Sequence, residues 1–444
     1  MDLLIKLKQL QSNAFIFYTK AHGYHWNVEG VLFKQLHAFF KEIYEDTFDS
    51  IDTYAEWSRK LGGLAAFQVD EILQASNIKY DFPTTSPLEM IRNLLDSNNQ
   101  IIADLKDGFN MANSDMSLED LLKHLEVLAN DALLLWDLPS GAVAKLINVS
   151  ENATYIVEAS RGYKAILRVH RENYHTRRAI ECELAWLDAL STESSVKTPG
   201  YFVGKNGEAI QEMKADGLSE PRFLVLFEFV EGSAPSESGD ITSGFHELGT
   251  LAAHCHLHAI KWDKPEPFER LTWDIDTVFG NNPTWGNWRD APEVDGAVIE
   301  VLDRVESMIR LRLSNYGKSP DRFNLIHADM RLANLIVSNS GTRLIDFDDC
   351  GHGWLMYDFA AAISFIEDDP RIPACKEAWL DGYKSVRSLS QQDIDEIDTF
   401  VMLRRMALLA WIGSHIEAPE PQELSPGFAS KTSELGQIWL ESLR

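Results

Sequence analysis

The chain has 444 residues, 45% hydrophobic and 25% charged, proportions that suit a globular protein with room for two or three domains. Its formal net charge of −27 argues against a general nucleic-acid or anionic-membrane binder, since both need a basic face. The four cysteines, Cys182, Cys255, Cys350 and Cys375, show no paired spacing, and no apolar run reaches membrane-spanning length, so a cytoplasmic protein with reduced thiols is expected.

Residues 1–115 carry 10 Lys+Arg against 16 Asp+Glu and read as helices throughout. Leu3, Leu4, Leu7, Leu10, Ala14, Phe15 and Tyr18 recur at helical spacing as far as Gly23. A second helix is expected over residues 32–61, stopped by Gly62-Gly63, then a short one over 65–73 and a long one over 86–109. Three long helices and a short one make part of a helical bundle. Asp52 and Glu56 stand four apart, so both carboxylates project from one helical face. His25 closes the first helix and His37 opens the second. Imidazole with carboxylate suits iron, manganese or zinc, although histidines and acids so scattered are also ordinary surface residues.

The runs HGYHWNVEGVLFKQLH and DTYAEWSRKLGG, within residues 22–63, resemble the Dps family of small ferritins. The resemblance implies a ferroxidase site shared across a two-fold subunit interface, with His25, His37, Asp52 and Glu56 as iron ligands, and self-association through these helices. Two features depart from the family. Lys41 stands four residues after His37, where the family carries a carboxylate, and its charge would repel iron. The likeness also ends near Asp115, before the fourth long helix of a bundle. Either residues 121–136 replace that helix or an apolar face stays uncovered.

The stretch NMANSDMSLEDLLKH, residues 110–124, reads as the end of one protein and the start of another. Met116 is followed by Ser117, a helix N-cap, with Glu119 and Asp120 in the first turn. Beyond it, KLINVS, ATYIVEA and YKAILRVH, between residues 145 and 170, are short β-rich runs separated by turns. A helix over 176–190 and a strand over 223–229 follow. After Gly232 the pattern is mostly helical, interrupted by LIHADM, NLIVSN and TRLIDF. The expected fold class is α+β. A partial helical bundle over 1–115 precedes a bilobal kinase-like enzyme, with a β-rich lobe and leading helix over 116–231 and a helical lobe over 232–444.

The motif LIHADMRLANLIVSNSGTRLIDFDD carries the chemistry. It holds His327 and Asp329, then Asn334 five residues on, then Asp346 on the next strand. Phosphoryl transfer needs a carboxylate to orient the acceptor hydroxyl and oxygen ligands to hold Mg2+ on the phosphates. Asp329 suits the first role, Asn334 and Asp346 the second, and His327 supports the loop. Upstream, Arg168 takes the place of a phosphate-binding cation on the third strand, with Glu183 as its helix partner and Glu181 as the alternative. Ser150 and Asn152 lie in the first strand turn, where a phosphate-covering loop belongs, and Glu228 and Phe229 lie in the hinge run FEFVEG.

Together these residues resemble the aminoglycoside phosphotransferase and choline-kinase-like superfamily, from about Ser117 onward. Gly353, Trp354, Tyr357 and Asp358, and the Leu257-His258 pair, extend the likeness. It implies ATP- and Mg2+-dependent phosphorylation of a hydroxyl on a small molecule such as an amine-bearing alcohol, an aminoglycoside or a hydroxy amino acid. Trp273, Asp274, Trp285, Trp288 and Arg289 form an aromatic and charged stretch that would suit an amine, or would simply pack. Asp348, Asp349 and Asp358 are further candidates, either to face the acceptor or simply to hold the loop. His254, His256 and His258 recur at helical spacing and are expected to pack rather than bind metal. The alternative function is an iron-binding, Dps-like oligomer carrying an inactive kinase-like domain.

Overall fold

A computed structural model describes residues 3–79, 86–113, 118–149, 152–218, 220–236, 240–339, 341–416 and 418–443. Met116 and Ser117 at the junction, and Ser150 in the phosphate turn, lie outside the described residues. The chain divides into two compact units, Met1–Asp120 and Leu121–Arg444.

The first unit contains α1 (Leu3–Asn27), α2 (Phe33–Lys60), α3 (Val69–Ala75) and α4 (Pro87–Asn113). Helix α1 is central and packs on the other three. Several of its buried polar side chains are answered from neighbouring segments: Lys6 and Asn13 donate to Asp104 at 2.7 and 2.9 Å, and Gln11 bonds both backbone groups of Ala66 at 2.9 Å. Ile16, Phe17, Ala21, Phe40, Ile72, Met90 and Leu94 make the core. On α4, Leu88, Ile91, Leu95, Ile102 and Leu105 are exposed at helical spacing, the stripe a fourth helix would cover. Residues 121–136 do not supply that helix. Helix α5 (Leu118–Ala132) turns Leu125, Leu128, Ala129 and Ala132 into the core of the second unit.

The second unit opens with strands β1 (Val143–Val149), β2 (Ala153–Ala159) and β3 (Tyr163–Val169). Helix α6 (Arg177–Glu193), β4 (Tyr201–Phe202), β5 (Gln211–Met213) and β6 (Arg222–Glu228) follow. The strands form one antiparallel sheet in the order β1-β2-β3-β6-β4, with β5 also on β6. Strand alternation decides which side chains serve chemistry. Ala165, Leu167 and Val169 of β3 pack with α5, whereas Ile166 and Arg168 face a cleft on the other side.

The helical lobe contains α7 (Thr242–Lys261), β7 (Leu271–Trp273), α8 (Ile275–Phe279), α9 (Gly296–Tyr316), β8 (Phe323–Ile326), β9 (Leu335–Ser338), β10 (Gly341–Leu344), β11 (Gly351–Trp354) and α10 (Tyr357–Ala362). It ends with α11 (Ile372–Val386), α12 (Gln391–Asp395), α13 (Ile397–Ser414), α14 (Pro419–Leu424) and α15 (Phe428–Ser442). Helices α7 and α11 approach so closely that a Cβ at Gly249 would sit 2.0 Å from the Trp379 carbonyl oxygen, so only glycine fits there. The hairpin β9–β10 and the small sheet β7–β11–β8 bracket the motif residues and set their spacing. No helix is long and apolar enough to cross a membrane among the described residues, and all four cysteines are buried and free.

Candidate active site

Strand β8 runs directly into the loop holding His327 and Asp329. Asp358, fully buried at the start of α10, accepts from the backbone N–H groups of His327 at 3.1 Å and Ala328 at 2.7 Å. Its carboxylate also pairs with His256 Nε2 at 2.9 Å, whose other ring nitrogen meets the Tyr383 hydroxyl. This clamp holds Ala328 at φ +66, a left-handed conformation that a residue with a Cβ rarely adopts. His327 is buried, and burial keeps its imidazole below its ordinary pKa. Its Nε2 meets the Ile345 carbonyl at 3.0 Å and its Nδ1 accepts the Asp329 N–H at 3.3 Å, so the ring ties the loop to the segment before Asp346.

Asp329 is held by three side chains. Oδ1 lies 3.2 Å from Arg331 Nε and 3.3 Å from Arg404 Nη2, and Oδ2 accepts from Asn334 Nδ2 at 2.9 Å. Burial alone would raise its pKa, but the two arginines outweigh it and keep the carboxylate ionised. Asn334 sits on the short helical turn Leu332–Asn334, and its backbone carbonyl accepts the Ile345 N–H at 3.0 Å. That bond sets Asp346 beside the loop, at φ +64. The Asp346 carboxylate opens into the cleft and carries no hydrogen bond or ion pair among the described residues. Partial desolvation between the cleft walls, and then the nearby Asp329 charge, push it up to about 7, although the residue keeps contact with solvent. A carboxylate so crowded by negative charge, beside an asparagine amide, is a donor set suited to a hard divalent cation.

The third component is a buried cluster around Arg168. Its guanidinium donates to Glu183 of α6 at 2.5 Å and lies 3.2 Å from Asp348 Oδ1. Glu181, by contrast, pairs with Arg178 on the helix surface at 3.0 Å. Asn152 donates to Asp348 Oδ2 at 2.6 Å and accepts the Arg171 N–H at 3.1 Å. His175 meets the Asp348 backbone carbonyl at 3.0 Å, and Arg270 donates to the carbonyls of Cys350, Phe347 and Asp348. Asp348 therefore joins the first strand turn, β3 and the Asp346 segment.

Two cavities meet at Arg168, Thr154 and Asp346. One, of about 250 Å3, is lined by Ile166, Leu187, Phe227, Ile336 and Ile345 and by the hinge residues Glu228, Phe229 and Val230. Its apolar walls between two lobes suit a flat ring. The other, of about 150 Å3, runs past Asp329, Asp348, Asp349 and Arg331 to Trp285, Phe365, Trp411 and Glu420. Trp288 is not in it: its indole is buried on Glu306 at 3.0 Å, with Arg289 over the ring. Asp274 caps α8 and pairs with Lys318 at 2.6 Å, while Trp273 donates to the Asp349 carbonyl at 2.8 Å.

The three histidines of α7 do not converge. His256 serves Asp358, and His258 accepts from Trp186 at 3.3 Å and faces Glu193. In the first unit, His25 and His37 stack with centroids 3.6 Å apart. Each uses Nδ1 on the other's backbone carbonyl, at 2.7 and 2.8 Å. Asp52 and Glu56 are exposed on α2, and fifteen residues of helix set Asp52 about 22 Å from His37. Lys41 is tied to Glu45 at 3.5 Å. Among the described residues no three His, Cys, Asp or Glu side chains group as metal ligands. One copy of the chain therefore does not assemble the iron site the resemblance implies.

Comparison with known proteins finds relatives of two kinds, with the ferritin-like match running to residue 127, beyond the expected end near Asp115. Residues 144–393 match the model of the phosphotransferase enzyme family. The chain belongs to that family. A solved structure of a microcompartment-associated aminopropanol kinase is 41% identical, with a TM-score of 0.66, over 71% of this chain and 98% of the other. The amicoumacin kinase of Bacillus subtilis is 24% identical over 262 residues, 55% of this chain and 74% of its own. The phosphotransferase unit is thus a small-molecule kinase. Residues 5–127 match the ferritin-like domain, and a DNA protection during starvation protein of Brevibacillus brevis is 29% identical over 124 residues, 28% of this chain and 83% of its own. The N-terminal region is therefore ferritin-like, of the Dps kind.

Several phosphotransferase residues escape a motif reading. Arg331, Phe365, Arg404, Trp411 and Glu420 line the cavity beside Asp329, and Arg270 and His175 brace Asp348. One signal was available for Arg404: it and Arg405 are the only charges within the apolar run VMLRRMALLAWI of α13. Phe365, at φ +72, gives no sign in the sequence of its conformation.

Proposed function

We propose that the second unit transfers the γ-phosphoryl group of ATP to the hydroxyl of a small amine-bearing alcohol, with Mg2+ as cofactor. The observation that carries this is the meeting of Asp329, Asn334 and Asp346 with the Arg168–Glu183 pair in one cleft. Adenine fits the apolar cavity against the backbone of Glu228 and Val230, and Arg168 faces the phosphates from β3. Asn152 orders the strand turn above them through Asp348. Asn334 and Asp346 would hold Mg2+, which supplies charge neutralisation on the phosphates. Asp329, kept ionised by Arg331 and Arg404, orients the acceptor hydroxyl and takes its proton as the new P–O bond forms. His327 positions the loop rather than carrying a proton, because both its ring nitrogens are bonded to backbone.

Trp285, Phe365 and Trp411 give the acceptor cavity aromatic walls, and Asp349 and Glu420 give it negative charge. That combination favours a protonated amine. The relative described as an aminopropanol kinase makes a short amino alcohol the first acceptor to test. The test is ADP release with and without Mg2+ over a panel of amino alcohols, aminoglycosides and hydroxy amino acids. Mg2+-dependent turnover of an amino alcohol by the full chain, absent in Asp329→Ala, is expected. Equal ADP release from the two proteins would refute the assignment.

The ferritin-like region supports self-association. The apolar stripe on α4 needs a cover, and the stacked His25–His37 pair would need carboxylates from a second copy to bind iron. The cytoplasm is the setting that buried free thiols and these two kinds of domain favour.

A further inference from the structure

Arg404 stands out among the buried arginines of the helical lobe. Its neighbour Arg405 spends its donors on protein, with Nε on Thr432 at 2.9 Å and Nη1 on Glu367 at 2.5 Å. Arg270 is likewise spent on backbone carbonyls. Arg404 is as buried as Arg405, at 3% exposure, and is fixed on two sides: Nε donates to Ser364 at 3.1 Å and Nη2 to Asp329 at 3.3 Å. The planar group also lies over the rings of Trp285 and Tyr357, 5.0 and 5.8 Å from their centroids. Yet Nη1 has no hydrogen-bond partner among the described residues, and neither does Trp285 Nε1, and both residues line the cavity beside Asp329. Buried donors left unpaired cost stability and await an acceptor. Two fixed anchors and two ring contacts leave the fork no freedom to turn elsewhere.

The Tyr357 hydroxyl beside the guanidinium is a neutral acceptor within the protein, and an oxyanion would outcompete it for Nη1. Two sources could bring one: the phosphoryl group in transit, or a carboxylate on the acceptor molecule. The geometry favours the first. Nη2 touches the carboxylate that receives the hydroxyl proton, which sets the guanidinium beside the place where the hydroxyl oxygen meets phosphorus. Beyond the Arg168–Asp348 cluster, the rest of the cavity carries Asp349 and Glu420 against one cation, Arg331, which already faces Asp329, so its charge balance disfavours an acceptor carboxylate.

We propose that Arg404 is a further catalytic residue of the phosphotransferase, donating from Nη1 to a non-bridging oxygen of the phosphoryl group as it moves. This inference rests on the kinase reading above. In the step, the acceptor oxygen forms a bond to the γ-phosphorus and the bond to the β-bridging oxygen breaks. That oxygen leaves on ADP with the electron pair, and the hydroxyl proton passes to Asp329. Nothing is oxidised or reduced. Charge spreads over the non-bridging oxygens during the transfer, and a cation fixed in advance stabilises it without reorganisation. The sequence gives Arg404 no motif, because its contact with Asp329 spans 75 residues.

The test uses the full chain, with Arg404→Gln and Arg404→Lys, assayed on an amino alcohol and on a hydroxy amino acid. Binding of ADP with aluminium fluoride and Mg2+, a mimic of the moving phosphoryl group, is measured alongside. The expected result is a kcat about a hundredfold to a thousandfold lower in Arg404→Gln, on every acceptor the wild type accepts. KM values should stay within about threefold, mimic affinity should fall in step with kcat, and Arg404→Lys should recover part of both. If Arg404→Gln fails to fold, the lysine variant is judged by the same split between kcat and KM. Turnover within about threefold of wild type would overturn the inference, as would a loss confined to carboxylate-bearing acceptors or one that appears in KM alone. A wild type without turnover on any acceptor would overturn the kinase reading and this inference together, whereas an active wild type with unaffected Arg404 variants overturns the inference alone.

Discussion

The two units place chemistry-bearing side chains in opposite ways. In the N-terminal bundle the histidines and carboxylates are strung along helix surfaces, and the buried polar groups, Lys6, Gln11, Asn13 and Asp104, serve only to hold α1. In the phosphotransferase unit the carboxylates of the candidate site are interlocked: Asp329 with two arginines and an asparagine, Asp348 with Arg168 and Asn152, Asp358 with the strained loop backbone. A site whose geometry is enforced by a buried network is complete in one chain. A site spread along one helix is at best half of something, since about 1.5 Å per residue keeps its members apart. Metal-ligand residue types are therefore a weaker sign of function than the bonds that aim them.

The largest effect that would break this contrast is loss of Asp329. Asp329→Ala should lower turnover by about 10³-fold with the fold intact, measured by ADP release and thermal unfolding. Next is Asp348→Asn, which removes the charge that joins the strand turn, β3 and the Asp346 segment. Breaking one partner of a buried ion pair costs about 3 kcal/mol. The expected outcome is a clear drop in Tm and an increase of about tenfold in the KM for ATP, with less effect on the KM for the acceptor. An unchanged Tm would show that the cluster is not holding the lobes' segments together.

A subtler effect concerns Asp346. Its carboxyl lies near 7 in the folded protein against 3.8 ordinarily, so between those values the folded chain keeps a proton the unfolded chain has lost. The metal-free protein should accordingly lose stability as pH rises from about 4 to 7. Asp346→Asn should remove that slope and give a Tm in EDTA at pH 8 no lower than that of the wild type, although activity is abolished. Added Mg2+ should raise the wild-type Tm at pH 8 more than at pH 5, and hardly move the variant. A variant less stable than wild type in EDTA would contradict the crowding of negative charge at this position. The smallest effect is expected from the bundle: His37→Ala and Asp52→Ala should leave kinase turnover within about twofold.

Much of the candidate site was legible in the sequence because its parts lie close together along the chain. Asp329, Asn334 and Asp346 fall within one loop and hairpin, and the four helices of the bundle announce themselves through long apolar repeats and Gly62-Gly63. Contacts across long separations were hidden. Asp348 reads as an acid that faces the acceptor or holds the loop, and its Asn152 partner, 196 residues away, could not be read from spacing. The charge of Arg404 stands out in an apolar run, but its contact with Asp329, 75 residues away, was hidden for the same reason. Trp288 sat in a promising aromatic stretch, yet its indole is committed to Glu306. Strands such as β4, β5 and β7, two or three residues long, have no periodicity to read. The allegiance of α5 was open too, because an amphipathic helix does not say which core its face will enter.

The most direct measurement is 31P NMR of the full chain with ATP, Mg2+ and a short amino alcohol, run beside Asp329→Ala and a His37→Ala/Asp52→Ala double variant. A new phosphomonoester signal from the wild type and the double variant, and none from Asp329→Ala, is the predicted result. A signal that survives in Asp329→Ala, or disappears in the double variant, would contradict the claim that the second unit alone carries the chemistry.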